Sequence, residues 1–140
     1  MSVYLDASVL VALFTEDSLT ARAELYLRRI APVLVVGDFA AAEFASAVAR
    51  RVRMRELKSG EARTAFANFD SWVGRAAARS ETLASDITAA ATHLRRLNLT
   101  LRTPDALNIA TAQRIGAELA TFDEKMAAAA RALGLKIAAI

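Results

Sequence analysis

The sequence has no cysteine and a single histidine, His93. Those absences exclude Cys-type zinc sites, iron–sulfur clusters, disulfide frameworks and thiol catalysis. A Ser-His-Asp triad would have to use His93. That residue lies on the flank of a helical stripe beside Leu94 and reads as solvated or structural. Proline is scarce, at two residues, and glycine at five, and neither clusters into a linker. No run of about 18 apolar residues occurs, so no membrane span is expected. The opening MSVYLDASVLVALF has no basic leader and an acid at position 6, so it does not read as a secretory signal. A cytoplasmic protein is expected.

What remains fits a globular protein. The 140 residues are expected to form one domain over 1–140. A chain of this size buries about two thirds of its unfolded surface. Hydrophobic residues make up 55% and charged residues 24%, which excludes intrinsic disorder. Alanine supplies 33 residues, so the core is less bulky than that percentage implies. Fifteen Arg and three Lys face 15 acids, a net charge of +3. The arginine bias suits phosphate contacts, and it equally fits the codon usage of a GC-rich genome.

Hydrophobic spacing sets the order of elements. Val3–Leu5 reads as a strand and Ser8–Phe14 as a short helix. Leu19–Ile30 is helical, with Leu19, Ala23, Tyr26, Leu27 and Ile30 on one face and Pro32 as breaker. Val33–Val36 reads as a buried strand. Gly37-Asp38 forms a turn and cap, and the next helix carries Ala41, Phe44, Ala45, Val48 and Val52 on one stripe. Ser59-Gly60 opens a helix with Ala62, Ala65, Phe66, Phe69, Trp72, Val73 and Ala76 along one face. Its aromatics read as buried, within one chain or between chains. Glu81–Ala84 is a possible strand. Ser85 is expected to cap a helix bearing Ile87, Ala90, Ala91, Leu94 and Leu97. Thr103-Pro104-Asp105 reads as N-cap, N1 and N2 of a helix that ends at Gly116. Leu119–Phe122 reads as a strand, Asp123 as the cap of a last helix through Leu133, and Leu135–Ile140 as a final strand.

Apolar strands alternating with helices argue for a parallel sheet covered on both faces. Ligands bind such sheets at the carboxyl ends of the strands. Asp6 follows the first strand and Asp123 the strand at Leu119–Phe122. Asp105 lies in the first turn of its helix, and Glu43 lies off the apolar stripe of the helix after the second strand. Singly, the aspartates serve as caps or complement a helix dipole, and Glu43 serves as a solvated side chain. Together, carboxylates on one edge repel unless some protonate. A hard divalent cation such as Mg²⁺ or Mn²⁺ removes that repulsion. Two such ions about 4 Å apart activate water and stabilise a leaving oxygen in phosphodiester hydrolysis. An all-oxygen site is the metal chemistry this composition supports.

The ordered set Y-L-D-A-S, A-E, T-P-D-A-L and T-F-D, with these spacings, resembles the PIN domain. More narrowly, it resembles the VapC-type toxins of bacterial toxin–antitoxin pairs, over essentially the whole chain. The resemblance implies a three-layer α/β/α fold with a central parallel sheet of four to five strands. It implies a metal-dependent endoribonuclease, the toxin of a type II module, cleaving RNA to inhibit translation. Asp6, Glu43, Asp105 and Asp123 match the family's acids. Mg²⁺, with Mn²⁺ as substitute, would be held by Asp6, Asp105 and Asp123, with Glu43 as ligand or water-orienter. Ser8 and Thr121 match supporting hydroxyl positions. Asn108, one helical turn after Asp105, is a further position that can face the site. The implied partners are RNA, a VapB-like antitoxin and a second copy of the chain. The helices near Phe39–Arg55 and Ser59–Arg75 correspond to dimer and antitoxin surfaces. With four acids masked by metal, 18 bases would face 11 acids, which favours RNA approach. Arg50, Arg51, Arg53 and Arg55 form the densest basic run, read either as a solvated face or as an RNA contact.

Other classes fit less well. A haloacid-dehalogenase-type phosphatase needs a second Asp where Ser8 stands. A receiver domain needs paired acids after the first strand, and position 7 is alanine. A non-cleaving PIN-like module for RNA or protein, or a housekeeping PIN nuclease, remains as an alternative. Retention of all four acids weighs against the non-cleaving form.

Overall fold

After its first residue, Ser2, the central strand carries the bulky run Val3-Tyr4-Leu5, which must be covered on both faces. The computed structural model, which describes residues 1–29 and 33–140, shows how. Its elements are β1 (Ser2–Leu5), α1 (Ala7–Phe14), α2 (Thr20–Arg29), β2 (Val33–Gly37), α3 (Asp38–Arg53), α4 (Ser59–Ala76), β3 (Ala77–Ser80), α5 (Ala84–Leu94), α6 (Thr103–Arg114), β4 (Glu118–Ala120) and α7 (Glu124–Ala132). The sheet runs β3-β2-β1-β4 with all pairs parallel. Val3, Tyr4 and Leu5 on β1 are wholly buried. Successive side chains of a strand point to opposite faces, so both faces of the sheet are packed. One layer joins α1, α3 and α4 through Phe14, Phe44, Phe66, Phe69 and Trp72, whose rings meet mostly edge to face. The aromatic stripe of α4 therefore packs against α1 and α3, with Phe69 buried and Phe66 and Trp72 half-buried. A second small core of Ala90, Ala106 and Ala110 joins α5 to α6.

Several boundaries differ from the sequence expectation, each for a physical reason. The weak strand at Glu81–Ala84 forms four residues earlier, as β3, where Ala77–Ser80 pairs with Leu34–Gly37. Three alanines favour helix locally, and the ladder to β2 overrides them. β2 is buried only at Val35, Val36 and Gly37, and Val33 is exposed. Gly37, not Asp38, is the cap position of α3, and Asp38 instead pairs with Arg79 (Nη2–Oδ1 2.7 Å). In α3, Ala40 is buried and Ala45 is exposed.

Leu83, not Ser85, precedes α5, and the Asp86 carboxylate accepts from the Leu83 N–H at 2.9 Å. Asp86 faces inward because Arg114 reaches it with two hydrogen bonds (2.7 and 3.0 Å). Ile87 and Leu97 consequently lie exposed. α6 begins one residue early, with Arg102 at the cap and Asp105 at N3. Gly116 and Gly134 adopt positive φ just past α6 and α7, as C′ glycines do. β4 stops at Ala120, so Thr121 and Phe122 turn over the sheet edge. The expected final strand is reduced to one parallel bridge, Leu119 to Ile137. Ile30 and Pro32, the expected end of the second helix, lie outside the described residues.

Candidate active site

Asp6 follows β1 at the carboxyl edge of the sheet, and its N–H still bonds the Ala120 carbonyl (3.0 Å). Its backbone then turns into α1, and its side chain caps that helix. The carboxylate oxygen Oδ2 accepts from the Ser8 hydroxyl (2.8 Å), the Ser8 N–H (3.3 Å) and the Thr121 hydroxyl (2.9 Å). Ser8 Oγ in turn accepts from the Phe122 N–H, and Thr121 Oγ1 from the Asp123 N–H, each at 3.0 Å. Two hydroxyls thus stitch α1 to the turn after β4 and fix Asp6 between them. Asp6 is only 6% exposed. Burial raises its pKa above the ordinary carboxylate value, and the Ser8 and Thr121 hydrogen bonds oppose that shift without cancelling it.

Glu43 projects from the second turn of α3. Burial raises its pKa too, opposed by an Asn108 hydrogen bond and reinforced by the charges of Asp6 and Asp105. Three carboxylates therefore share one electrostatic neighbourhood. Asp105 accepts from the Arg102 N–H (3.2 Å) and pairs with the Arg102 guanidinium (Nε–Oδ2 3.5 Å). Asp123 caps α7 through Oδ1, which accepts from the Met126 N–H at 3.1 Å.

A common pattern links the four acids. Each commits one oxygen to the protein: Oδ2 of Asp6 and Asp105, Oε1 of Glu43 and Oδ1 of Asp123. Among the described residues, no side chain donates a hydrogen bond to the second oxygen of any of them. That donor set suits a hard divalent cation, which prefers carboxylate oxygen and would relieve the cost of the buried charges. As the side chains stand, no three acidic or imidazole groups among the described residues are gathered tightly enough to enclose an ion.

A groove of about 830 Å³ opens beside this edge. Its lining includes Ser8, Glu43 and Pro104 and the arginines Arg50, Arg51, Arg53 and Arg102, together with Asp17, Glu56 and apolar side chains such as Leu19 and Met54. Arg51 is tied to Thr15 (2.7 Å) and Glu56 (3.6 Å), a structural use. Arg50 is exposed on the groove wall. The basic run is thus joined to the acids by α3 itself, which carries Glu43 and, seven residues on, Arg50. His93 lies apart, bonded to Gln113 (2.8 Å), which also holds the Leu133 carbonyl.

Two partners were not legible in the sequence. Tyr4, an ordinary core residue by pattern, donates its hydroxyl to Asn108 Oδ1 at 2.7 Å. Burial first, then the nearby acids, pushes that phenol above the ordinary tyrosine value, so it stays protonated. Arg102 reads as a bland residue before a helix, yet it pairs with Asp105 and counters the charge on Glu43.

The PIN domain family model matches residues 3–132. The chain is 33% identical to Ribonuclease VapC46 of Mycobacterium tuberculosis (strain ATCC 25618 / H37Rv), over 99% of this chain and 97% of that protein. Its fold superposes on M. tuberculosis VapC20, described as a sarcin-ricin loop cleaving toxin, with a TM-score of 0.75. That match has 20% identity and covers 91% of this chain and 94% of the other. VapBC2 from Rickettsia felis, solved on a DNA fragment from its promoter, matches at TM-score 0.69 and 17% identity. It covers 99% of this chain and 98% of the other. At those identities the structures show the fold alone, a three-layer arrangement around a parallel sheet.

Proposed function

Because the chain belongs to the PIN-domain family, in its VapC ribonuclease branch, we propose that it is the endoribonuclease toxin of a type II toxin–antitoxin module. The observation that carries this reading is the Asp6 carboxylate clamped by Ser8 and Thr121, within electrostatic reach of Glu43, which itself lines a groove bearing four arginines. Mg²⁺, or Mn²⁺ in its place, would be held by Asp6, Asp105 and Asp123, with Glu43 as a further ligand or water-orienter. Bound there, it would neutralise phosphate charge and lower the pKa of an attacking water.

The chain's own residues do the rest. Ser8 and Thr121 fix Oδ2 of Asp6, which leaves Oδ1 directed by a rigid frame rather than by a free rotamer. Arg50, Arg53 and Arg102 supply guanidinium groups along the groove for backbone phosphates. Asp105 holds Arg102, so one of these phosphate contacts would lie beside the carboxylates. The arginines do not distinguish bases, so target choice rests on RNA shape and unpaired bases.

No helix among the described residues is long and apolar enough to cross a membrane. An RNA substrate places the work in the cytoplasm. A VapB-like antitoxin and a second copy of the chain are the expected protein partners, in keeping with the VapBC complex among its structural relatives. The test is cleavage of a mixed bacterial RNA pool by the purified chain. Discrete fragments that need Mg²⁺ or Mn²⁺, vanish in EDTA and vanish in Asp6→Asn are expected. Cutting that persists in Asp6→Asn, or a folded protein that cuts nothing, overturns the reading.

A further inference from the structure

Asn108 is a polar residue with no exposure to speak of, in the middle of α6. Its side-chain amide has a complete set of partners. Oδ1 accepts from the Tyr4 hydroxyl (2.7 Å). Nδ2 donates to Glu43 Oε1 and to the Pro104 carbonyl (3.1 Å). An amide can satisfy a carboxylate only with its nitrogen. The Pro104 carbonyl, which can only accept, fixes Nδ2 on that side together with Glu43 and leaves Oδ1 to the Tyr4 hydroxyl. Tyr4 is itself immobile: its ring is wholly buried, and its hydroxyl lies against the backbone of Gly37, where a Cβ would come within 2.2 Å.

These contacts run from β1 through α6 to α3 and end on one oxygen of Glu43. We propose that Asn108 is a positioning residue: anchored by Tyr4, it holds Glu43 by Oε1 and turns Oε2 toward the groove. Asn108 meets neither RNA nor ion in this account and acts only through Glu43. The inference rests on Glu43 belonging to the nuclease site. Outer partners of metal-ligating carboxylates act in this way, by fixing orientation before the ligand arrives.

The alternative is that Asn108 merely satisfies buried polar groups. The two roles separate in a cycle with Glu43. The parent chain and Tyr4→Phe/Asn108→Leu are compared, because removing both hydrogen-bond partners together leaves no orphaned hydroxyl. Each is made with Glu43 and with Glu43→Gln. Mn²⁺ affinity of the RNA-free protein is measured by electron paramagnetic resonance, alongside the melting temperature and RNA cleavage. With Glu43 present, loss of Asn108 is expected to weaken Mn²⁺ binding about tenfold or more. With Glu43→Gln, the same change is expected to alter it by less than about twofold, because nothing remains to be positioned.

Equal losses in both backgrounds, with Glu43→Gln itself impaired, overturn the positioning role and leave the nuclease reading standing. No effect of Glu43→Gln on binding or cleavage overturns both. Asn108→Ser, smaller and still polar, gives the same comparison if the double variant melts below the assay temperature.

Discussion

Replacing Gly37 by alanine puts a methyl group where the Tyr4 hydroxyl already stands. An ideal Cβ at position 37 lies 2.2 Å from Tyr4 Oη, 2.8 Å from Cε2 and 2.9 Å from Cζ. Ordinary contacts lie near 3.5–4.0 Å, so the overlap exceeds about 1 Å. Neither side yields cheaply. Gly37 closes the β2 ladder opposite Ser80, and the Tyr4 ring is wholly buried. Overpacking of this kind costs about 1–3 kcal/mol, and the rigid neighbours place this case near the top. For a chain of this length, about 3 kcal/mol lowers the melting temperature by roughly 6–12 °C. Tyr4→Phe in the same chain removes the closest atom and is expected to recover part of the loss. Cleavage is expected to fall as well, because the displaced hydroxyl carries Asn108 and through it Glu43. Differential scanning calorimetry of the four chains in the Gly37–Tyr4 cycle measures the coupling. A Gly37→Ala protein that melts within about 1 °C of the parent would refute the packing argument.

Other consequences follow from the same residues. In EDTA, the raised pKa of Asp6 means the folded state keeps its proton to higher pH than the unfolded chain. That stability is full below the ordinary carboxylate range and is lost as pH rises through the raised value, so urea midpoints should fall over that window and fall less in Asp6→Asn. Arg114→Met strands the buried Asp86, which among the described residues only Arg114 neutralises, at 2.7 Å. Since Arg114 is 31% exposed, the expected loss is about 2–3 kcal/mol in urea denaturation, below the figure for a fully buried pair. Arg50→Ala with Arg53→Ala should weaken RNA binding across sequences and flatten its salt dependence, by about 0.7 in log–log slope per lost phosphate contact. An unchanged slope would mean that the groove does not track the RNA backbone.

The residues differ in how far their roles could be read from sequence. The strand–helix alternation and the placement of Asp6 after β1 follow from local apolar runs, and the structure has both. So does the capping role of Asp123, which depends on neighbours three residues away. Ser8 and Thr121 both bond Asp6, although 113 residues separate them from each other. β3 lies four residues before the expected strand because its identity comes from pairing with β2, while Ala76–Ala78 favour helix on their own. The α5 cap is Leu83 and not the expected Ser85 because Asp86 is a charge turned inward, which hydrophobic spacing counts as an outer position. Tyr4 and Asn108 lie 104 residues apart, and no periodicity links a core tyrosine to a mid-helix amide. Long-range polar contacts set this site, and only the folded chain displays them.

The most direct test of the central claim is an anomalous-difference map from crystals of the chain grown with Mn²⁺. A peak is expected at the carboxyl edge of the sheet, within coordination distance of Asp6 and of at least two among Glu43, Asp105 and Asp123. Asp6→Asn is expected to remove that peak while the fold persists. A well-ordered edge with no peak at high Mn²⁺, or a peak held elsewhere, would contradict that claim.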